Sequence, residues 1–223
     1  MESEPAQQGE TDALPFLRLP PEFGVRRLEE VFAVGHFMAA FHGPWWIGGG
    51  WAIDLWAGGQ SREHEDIEVC VLRGDQGAAR TYCAGWCPFT PVDGHWSPLA
   101  EDDWLASPRS MLQFQRTPET VVTVEGMPPT FEFILNDITD DQWIYTGEPS
   151  IRAPFDRVIV PSPLGLRVAA PEVLLLHKAC HHRPKDEHDF RRVRDRLGPA
   201  QRAWLTQQIA RLRPDDPWLP PLG

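Results

Sequence analysis

The chain has 223 residues, of which 42% are hydrophobic, so it is long enough to bury a substantial core as one large domain or two small ones. Its formal net charge of −11 argues against a sequence-independent grip on nucleic acid and permits a cationic small substrate, although an acidic surface also serves solubility alone. Four cysteines without paired zinc-ligand spacing, and no apolar run near the ~20 residues that span a bilayer, predict a soluble cytoplasmic protein without membrane contact.

The first half of the chain reads as alternating helices and strands. Residues 1–15 are polar and acidic, without an apolar segment, and we expect a mobile tail there. Apolar residues close to helical spacing predict an amphipathic helix in GVRRLEEVFAVGHFMAAF. WWI indicates a short buried strand, and GGGWAIDLWAGG a glycine turn followed by a short helix that ends at glycines. DIEVCVL is typical of a strand and GDQGAARTYCAGW of a helix, so the order of elements predicts an α/β core.

The second half changes from strands to helices. Residues 87–129 are rich in proline and tryptophan, and no element boundaries are predicted there. TFEFIL and WIYTG are typical of strands, whereas PEVLLLHKACHH, KDEHDFRRVRDRL and PAQRAWLTQQIARL are typical of helices. The prolines of PDDPWLPPLG predict an extended end that is docked by Trp218. The sequence therefore predicts a sheet-bearing domain at residues 16–149 and a helical domain with an extended proline-rich end at residues 150–223.

Two carboxylates, Asp66 and Glu68, lie in an otherwise hydrophobic strand. Because residues two apart in a strand point to the same face, these two side chains should project side by side while Ile67 and Val69 face the core. Adjacent carboxylates repel each other, and a hard divalent cation such as Mg²⁺ relieves that repulsion because it prefers oxygen ligands. An edge strand with one solvated face is the alternative explanation for the pair.

Three glycines, residues 48–50, precede the helix WAIDLW. Their backbone N–H groups can converge with the positive end of the helix dipole on a phosphate, and the absence of Cβ atoms lets a triphosphate approach closely. A plain tight turn is the alternative. The stretch has neither the GK[ST] ending of a P-loop nor a GxGxxG fingerprint. The combination of glycine turn, helix, short loop and acidic pair is far more specific than either half.

That combination, in GGGWAIDLWAGGQSREHEDIEV, resembles the nucleotidyltransferase superfamily that shares its fold with DNA polymerase beta. It looks most like the small-molecule branch, the aminoglycoside and lincosamide nucleotidyltransferases. APEVLLLHKACHHRPKDEHDF is similar to a helical segment with a KDxxD ending in the same group. The resemblance implies an α/β (α+β) fold, in which a mixed sheet flanked by helices is followed by a C-terminal helical domain. It also implies transfer of a nucleoside monophosphate from an NTP to a hydroxyl, with release of pyrophosphate.

The resemblance assigns roles to residues at matching motif positions. Gly48 and Gly49 match the turn that holds the β and γ phosphates, and Asp66 and Glu68 match the acidic pair that binds magnesium. Such sites have a third carboxylate, for which Glu132 is the candidate because it is the only ionisable residue of TFEFIL. Glu132 could bind metal or accept the proton of the substrate hydroxyl. The resemblance also implies two Mg²⁺ ions as cofactors and an NTP as co-substrate. In an adenylyltransferase that NTP is ATP.

Three cations are further candidates for binding the triphosphate. Arg62 belongs to the Arg-x-His-x-Asp approach to the acidic pair and could neutralise phosphate charge, with a surface arginine as the alternative. Lys178, inside an apolar helix, and Lys185 could each bind phosphate as a point charge, and a solvated or snorkelling lysine is the alternative for both. Asp186 and Asp189 are interpreted as partners in ion pairs on a helix face.

The function predicted from the sequence is therefore that of a magnesium-dependent nucleotidyltransferase, an adenylyltransferase of the antibiotic-resistance kind. Its acceptor would be a hydroxyl of a small molecule, and the acidic chain suits a cationic one. Two alternatives remain open. One is a nucleotidyltransferase that modifies a protein or RNA, although the chain has no basic stripe for RNA. The other is a non-catalytic protein of the same fold that binds a nucleotide or drug-like ligand.

Overall fold

The computed structural model describes residues 24–223, and the tail predicted at residues 1–15 lies outside them. Within this range the strands are β1 (Trp45–Ile47), β2 (Glu68–Leu72), β3 (Trp86–Val92), β4 (His95–Pro98), β5 (Met111–Arg116), β6 (Thr130–Thr139), β7 (Gln142–Ile144), β8 (Arg152–Pro154), β9 (Ile159–Pro161) and β10 (Arg167–Ala169). The helices are α1 (Leu28–Met38), α2 (Gly49–Ala57), α3 (Gln76–Tyr82), α4 (Phe155–Val158), α5 (Pro171–Lys178), α6 (Pro184–Val193), α7 (Pro199–Leu212) and α8 (Leu219–Leu222).

One mixed sheet organises these elements, with the strand order β4-β3-β5-β6-β2-β1-β10-β9. The central strand β2 runs parallel to β6 on one side and antiparallel to β1 on the other. β1 in turn runs parallel to β10, while β7 and β8 extend the sheet from the end of β6. The predicted α/β class with a mixed sheet and flanking helices is confirmed.

The centre of the sheet is held together by alternating apolar side chains. Val69 and Val71 of β2 lie opposite Phe133 and Leu135 of β6, and all four are almost completely buried. Successive residues of a strand point to opposite faces, so this apolar face leaves Glu132 on the other side of β6. The hydrophobic core therefore fixes which face of the sheet carries the acidic residues.

The predicted helices form where the sequence indicated them. Helix α2 begins after Gly48 and ends at Gly58, whose φ of +89° lies in the left-handed region that glycine adopts readily. Helices α5, α6 and α7 correspond to the three predicted helical segments, and each begins at a proline. Proline suits this position because the first turn of a helix needs no intrahelical N–H donor.

Two predicted boundaries are corrected. The sheet-bearing part continues beyond residue 149, because Val168 in β10 pairs with Ile47 in β1, and the helical part begins only at Pro171. The strands that follow residue 149 have three residues each, too few for a periodic pattern to reveal them. The strand predicted in WIYTG is also shorter, since β7 ends at Ile144.

The last residues were predicted to be extended, but part of them is helical. Leu219–Leu222 form the short helix α8, whose prolines occupy its first turn and so do not disrupt it. The docking of Trp218 is confirmed, because its ring stacks on Phe190 with centroids 4.2 Å apart and its Nε1 donates to Glu187. Among residues 24–223, no helix has both the length and the apolar character that crossing a membrane requires.

Candidate active site

Three carboxylates meet where β2 and β6 run side by side. Asp66 lies just before β2, Glu68 opens that strand, and Glu132 lies opposite Glu68 in the parallel ladder. One oxygen from each carboxylate lies within 4.8 Å of the other two. Glu132 is 5% exposed, and Asp66 and Glu68 are half-buried. The ladder pair Glu68 and Glu132, together with Asp66 before β2, thus supplies three hard oxygen donors in one place, which is the donor set that Mg²⁺ prefers.

The local environment raises the pKa of Glu68 to about 7. Burial is the main cause, and the neighbouring carboxylate of Asp66 adds to it. The cations Lys178, Lys185 and Arg183 act in the opposite direction without cancelling the rise. Glu68 is therefore only partly ionised near neutral pH, and a bound cation would favour its ionised form.

Glu132 has its pKa raised well above the ordinary value of a glutamate. Burial is again the largest cause, followed by the charges of Asp66 and Glu68. Gln113 opposes the rise, because its Nε2 donates a hydrogen bond of 3.2 Å to Oε1 of Glu132. A raised pKa makes the ionised carboxylate a stronger proton acceptor than an ordinary glutamate, which suits a general base, and it also suits metal binding coupled to proton release.

We expect the affinity of this cluster for a divalent metal to increase with pH between about 6 and 8, because bound protons must leave before the oxygens coordinate. Calorimetry in buffers of different ionisation enthalpy measures the protons released. The stability of the metal-free protein should depend on pH in the opposite direction. Glu68 and Glu132 bind protons more tightly in the folded chain, so stability should fall as pH rises from below the ordinary glutamate pKa through about 7. Metal binding that releases no protons at pH 6.5 would contradict the assignment.

The glycine turn lies directly against these carboxylates. The N–H of Gly48 donates a 2.8 Å hydrogen bond to the carbonyl oxygen of Glu68, which ties the start of α2 to the start of β2. Gly49 has a φ of +57°, and a Cβ atom there would lie 2.4 Å from Oε2 of Glu68. A Cβ atom at Gly50 would lie 2.2 Å from Nη2 of Arg62. Glycine therefore allows the N-terminus of α2 to lie closer to Glu68 and Arg62 than a residue with a Cβ atom would permit.

We expect Gly49→Ala to weaken metal-dependent NTP binding by about tenfold or more, because the new methyl group must displace the carboxylate of Glu68. Alanine in the left-handed backbone conformation of residue 49 should also destabilise the fold by about 1 kcal/mol. Gly58→Ala is the matched control, since Gly58 also has a positive φ but a Cβ atom there meets nothing within 4 Å. Melting temperature and NTP affinity should fall together only in Gly49→Ala. Equal NTP affinities in the two variants would exclude the phosphate-turn role.

A buried polar network fixes the loop that leads from α2 into β2. Nε2 of His64 lies 2.8 Å from Oδ2 of Asp54, and the backbone N–H of Ser61 donates to the same oxygen at 2.9 Å. Although burial raises it, these hydrogen bonds hold the pKa of Asp54 below its ordinary value. The ring of His64 stacks on Trp51 with centroids 4.3 Å apart. The loop therefore delivers Asp66, two residues beyond His64, to a fixed position.

Arg26 is a buried cation beside the acidic cluster that could not be identified from the sequence. Its side chain is 1% exposed, and Nη2 donates a 2.6 Å hydrogen bond to Oγ1 of Thr130. Burial lowers its pKa, while the charges of Glu30, Asp66 and Glu132 act to raise it. Its backbone N–H also donates to the carbonyl oxygen of His64. No motif marks Arg26, because its contacts with His64 and Thr130 join segments that are distant in sequence.

The predicted phosphate-binding cations lie near the turn, but two of them are paired. Nε and Nη2 of Arg62 donate hydrogen bonds of 2.8 and 2.9 Å to the two carboxylate oxygens of Asp189. The side chain of Arg62 is 16% exposed, so it is not a surface arginine. Lys178 lies 2.8 Å from Asp189 and 3.4 Å from Asp186, and it is buried rather than solvated. Lys185 is half-buried and makes no salt bridge within residues 24–223. Asp189 therefore links separate elements instead of pairing along one helix face.

A protein-family model matches residues 30–79, which include the glycine turn and the acidic pair. The matching family is described as aminoglycoside-2''-adenylyltransferase. A search of curated protein sequences gives no match.

Solved structures of two antibiotic adenylyltransferases are similar to this chain. The lincosamide antibiotic adenylyltransferase LnuA, with lincomycin bound, has a TM-score of 0.52 at 17% identity, covering 76% of this chain and 97% of LnuA. ANT(2'')-Ia in complex with adenylyl-2''-tobramycin has a TM-score of 0.55 at 16% identity, covering 82% of this chain and 99% of that protein. The chain therefore has the nucleotidyltransferase fold of these proteins, and its predicted resemblance to the aminoglycoside and lincosamide enzymes is confirmed.

Proposed function

We propose that this protein transfers a nucleoside monophosphate from a magnesium-bound NTP to a hydroxyl of a small antibiotic-like molecule. The observation that carries the proposal is the convergence of three carboxylates against a glycine turn at the N-terminus of α2. Lincomycin and adenylylated tobramycin in the two similar structures support an antibiotic acceptor and ATP as the nucleotide. A cytoplasmic location suits NTP use, and the four cysteines are all free thiols.

Asp66, Glu68 and Glu132 are the residues that would hold magnesium, as two ions according to the resemblance. Their oxygen donors fit it, and burial together with the neighbouring carboxylates raises the pKa of both glutamates, an effect that a bound cation would oppose. Bound magnesium would compensate their charge and polarise phosphate oxygens. Nitrogen and sulfur ligands are absent from this cluster of described residues, which disfavours zinc.

The remaining chain residues would bind the triphosphate. Because the N–H of Gly48 is already bonded to Glu68, the contact with the β and γ phosphates falls to Gly49 and the following N–H groups of the first helical turn. Gly48 contributes by having no side chain, since a Cβ atom there would lie 2.8 Å from Sγ of Cys70 and 3.4 Å from Oε2 of Glu68. Arg62, Lys178 and Lys185 would add positive charge beside the phosphates.

Glu132 would act as the general base. The acceptor oxygen forms a bond to the α-phosphorus while the bond from that phosphorus to the bridging oxygen breaks, and pyrophosphate leaves with the bonding electrons. The hydroxyl proton passes to a carboxylate oxygen of Glu132. Only Oε1 of Glu132 accepts the hydrogen bond from Gln113, so Oε2 can receive that proton.

Transfer of radiolabel to an acceptor tests this function. With Mg²⁺ and a panel of aminoglycosides and lincosamides, we expect label from α-³²P-ATP, but not from γ-³²P-ATP, to reach the acceptor. Transfer of the γ label would contradict nucleotidyl transfer. A parallel thermal-shift series separates the alternatives. Stabilisation by NTP that requires magnesium supports an enzyme, whereas stabilisation by a ligand without metal favours a non-catalytic binding protein.

A further inference from the structure

Five charged side chains form a continuous series of ion pairs, which we call the cation network: Arg62, Asp189, Lys178, Asp186 and Arg183. Asp189 pairs with Arg62 and Lys178, and Asp186 pairs with Lys178 and Arg183. Both aspartates are 0% exposed. Arg62 comes from the loop between α2 and β2, Lys178 from α5, and both aspartates from α6. The network therefore joins the glycine-turn loop to the helical part of the chain.

The network borders the candidate phosphate site. A Cβ atom on Gly50 would lie only 2.2 Å from Nη2 of Arg62, so the guanidinium group packs directly against the first turn of α2. Lys178 and Arg183 are also close enough to the acidic cluster for their positive charges to act on Glu68. With three cations and two anions, the network carries one net positive charge next to the turn and the acidic cluster.

The paired cations retain hydrogen-bond donors. Arg62 uses one N–H of Nε and one of Nη2 on Asp189, and one of Nη1 on the carbonyl oxygen of Glu63. A guanidinium group has five N–H donors, so one remains on each terminal nitrogen after these contacts. Lys178 uses two of its three N–H donors on Asp186 and Asp189. Arg62 can therefore donate to a phosphate oxygen without releasing Asp189.

We propose that Asp189 is a positioning residue for the triphosphate, which holds Arg62 and Lys178 against the glycine turn so that their charges and remaining donors face the phosphates. The inference rests on the proposed function, because it requires an NTP at the turn. Asp189 does not itself contact the nucleotide. A guanidinium group held by two hydrogen bonds loses less conformational freedom on binding phosphate than a mobile one does, so preorganisation increases affinity.

The effect of Asp189→Asn on NTP affinity distinguishes a positioning role from a competing one. If Asp189 merely competed with phosphate for Arg62, or repelled the triphosphate, then Asp189→Asn would strengthen NTP binding. A positioning role predicts the reverse, because the neutral amide cannot hold two cations in place. The loss should grow with the number of phosphates, since Arg62 and Lys178 act on the phosphates and not on the nucleoside.

The test is calorimetry of Asp189→Asn with α,β-methylene ATP, pyrophosphate and AMP, each with Mg²⁺. We expect affinity for the ATP analogue and for pyrophosphate to fall about tenfold or more, and affinity for AMP to change less than about twofold. Asp195→Asn is the control, since it removes the same charge from a side chain that is 75% exposed just beyond α6. It should bind all three ligands as the wild type does.

Arg62→Gln and the double variant complete the cycle. If Asp189 acts through Arg62, the double variant should lose clearly less than the product of the two single losses. Independent effects, or unchanged or tighter binding in Asp189→Asn, would overturn the inference while leaving the proposed function intact. If Asp189→Asn does not fold, unchanged pyrophosphate affinity in Arg62→Gln would overturn it instead. A wild type that binds no magnesium nucleotide would refute the proposed function, and the inference with it.

Discussion

We expect Glu132→Gln to lower the turnover number by roughly two to four orders of magnitude, the usual effect of losing a general base, while the folded protein still binds magnesium and NTP. Glutamine has nearly the shape of glutamate, so the packing of β6 should survive. The amide cannot accept the proton that a carboxylate of raised pKa accepts. Single-turnover pyrophosphate release at saturating NTP and acceptor measures this step directly.

Other roles for Glu132 would give different results. If it were chiefly a metal ligand, metal affinity would fall in parallel with turnover. If it were only a buried structural acid, turnover would match the wild type and the melting temperature would rise. Glu172→Gln is the matched control, because burial also raises the pKa of Glu172. Glu172 accepts a hydrogen bond from Gln201 and lies outside the acidic cluster. That variant should retain wild-type turnover.

The second large effect is expected from Asp66→Asn combined with Glu68→Gln. Loss of two of the three carboxylates should weaken magnesium-dependent NTP binding by about a hundredfold or more, equivalent to nearly 3 kcal/mol. Stability without metal should be unchanged or higher at pH 8, by about 1–3 kcal/mol, since a glutamate whose pKa is about 7 is partly destabilising when ionised. Calorimetry and thermal unfolding measure the two quantities separately.

Glu63→Gln combined with Glu65→Gln is the control for this double variant. It removes two charges from the same loop, but both side chains are exposed. NTP affinity should remain close to that of the wild type. Wild-type affinity in Asp66→Asn with Glu68→Gln would exclude the metal assignment, and marked destabilisation would instead indicate that the acids form structural ion pairs.

Local patterns were sufficient to predict most of the acidic cluster. The two-residue period of a strand places Asp66 and Glu68 together, and a single acid in a hydrophobic strand identifies Glu132. The pairing of Glu68 with Glu132 could not be predicted in the same way. It depends on the parallel register of β2 and β6, and no local spacing determines the register of strands so far apart in sequence.

The parts of the site that sequence analysis missed depend on long-range contacts. Asp189 lies 127 residues from Arg62, and the helical spacing of α6 predicts only its neighbours along the helix. The hydrogen bond from Arg26 to Thr130 joins residues that are 104 positions apart. The sheet continues past residue 149 in strands of three residues, which have no recognisable period. Periodicity identified the elements, whereas tertiary packing determined their partners.

The most direct test of the central claim is the position of a metal ion in a crystal of the protein with Mn²⁺ and α,β-methylene ATP. We expect a Mn²⁺ ion, located by its anomalous scattering, to be coordinated by oxygens of Asp66, Glu68 and Glu132. The β and γ phosphates should accept hydrogen bonds from Gly49 and the next N–H groups of α2. A nucleotide bound elsewhere, or bound at the turn with its metal away from these three carboxylates, would contradict the claim.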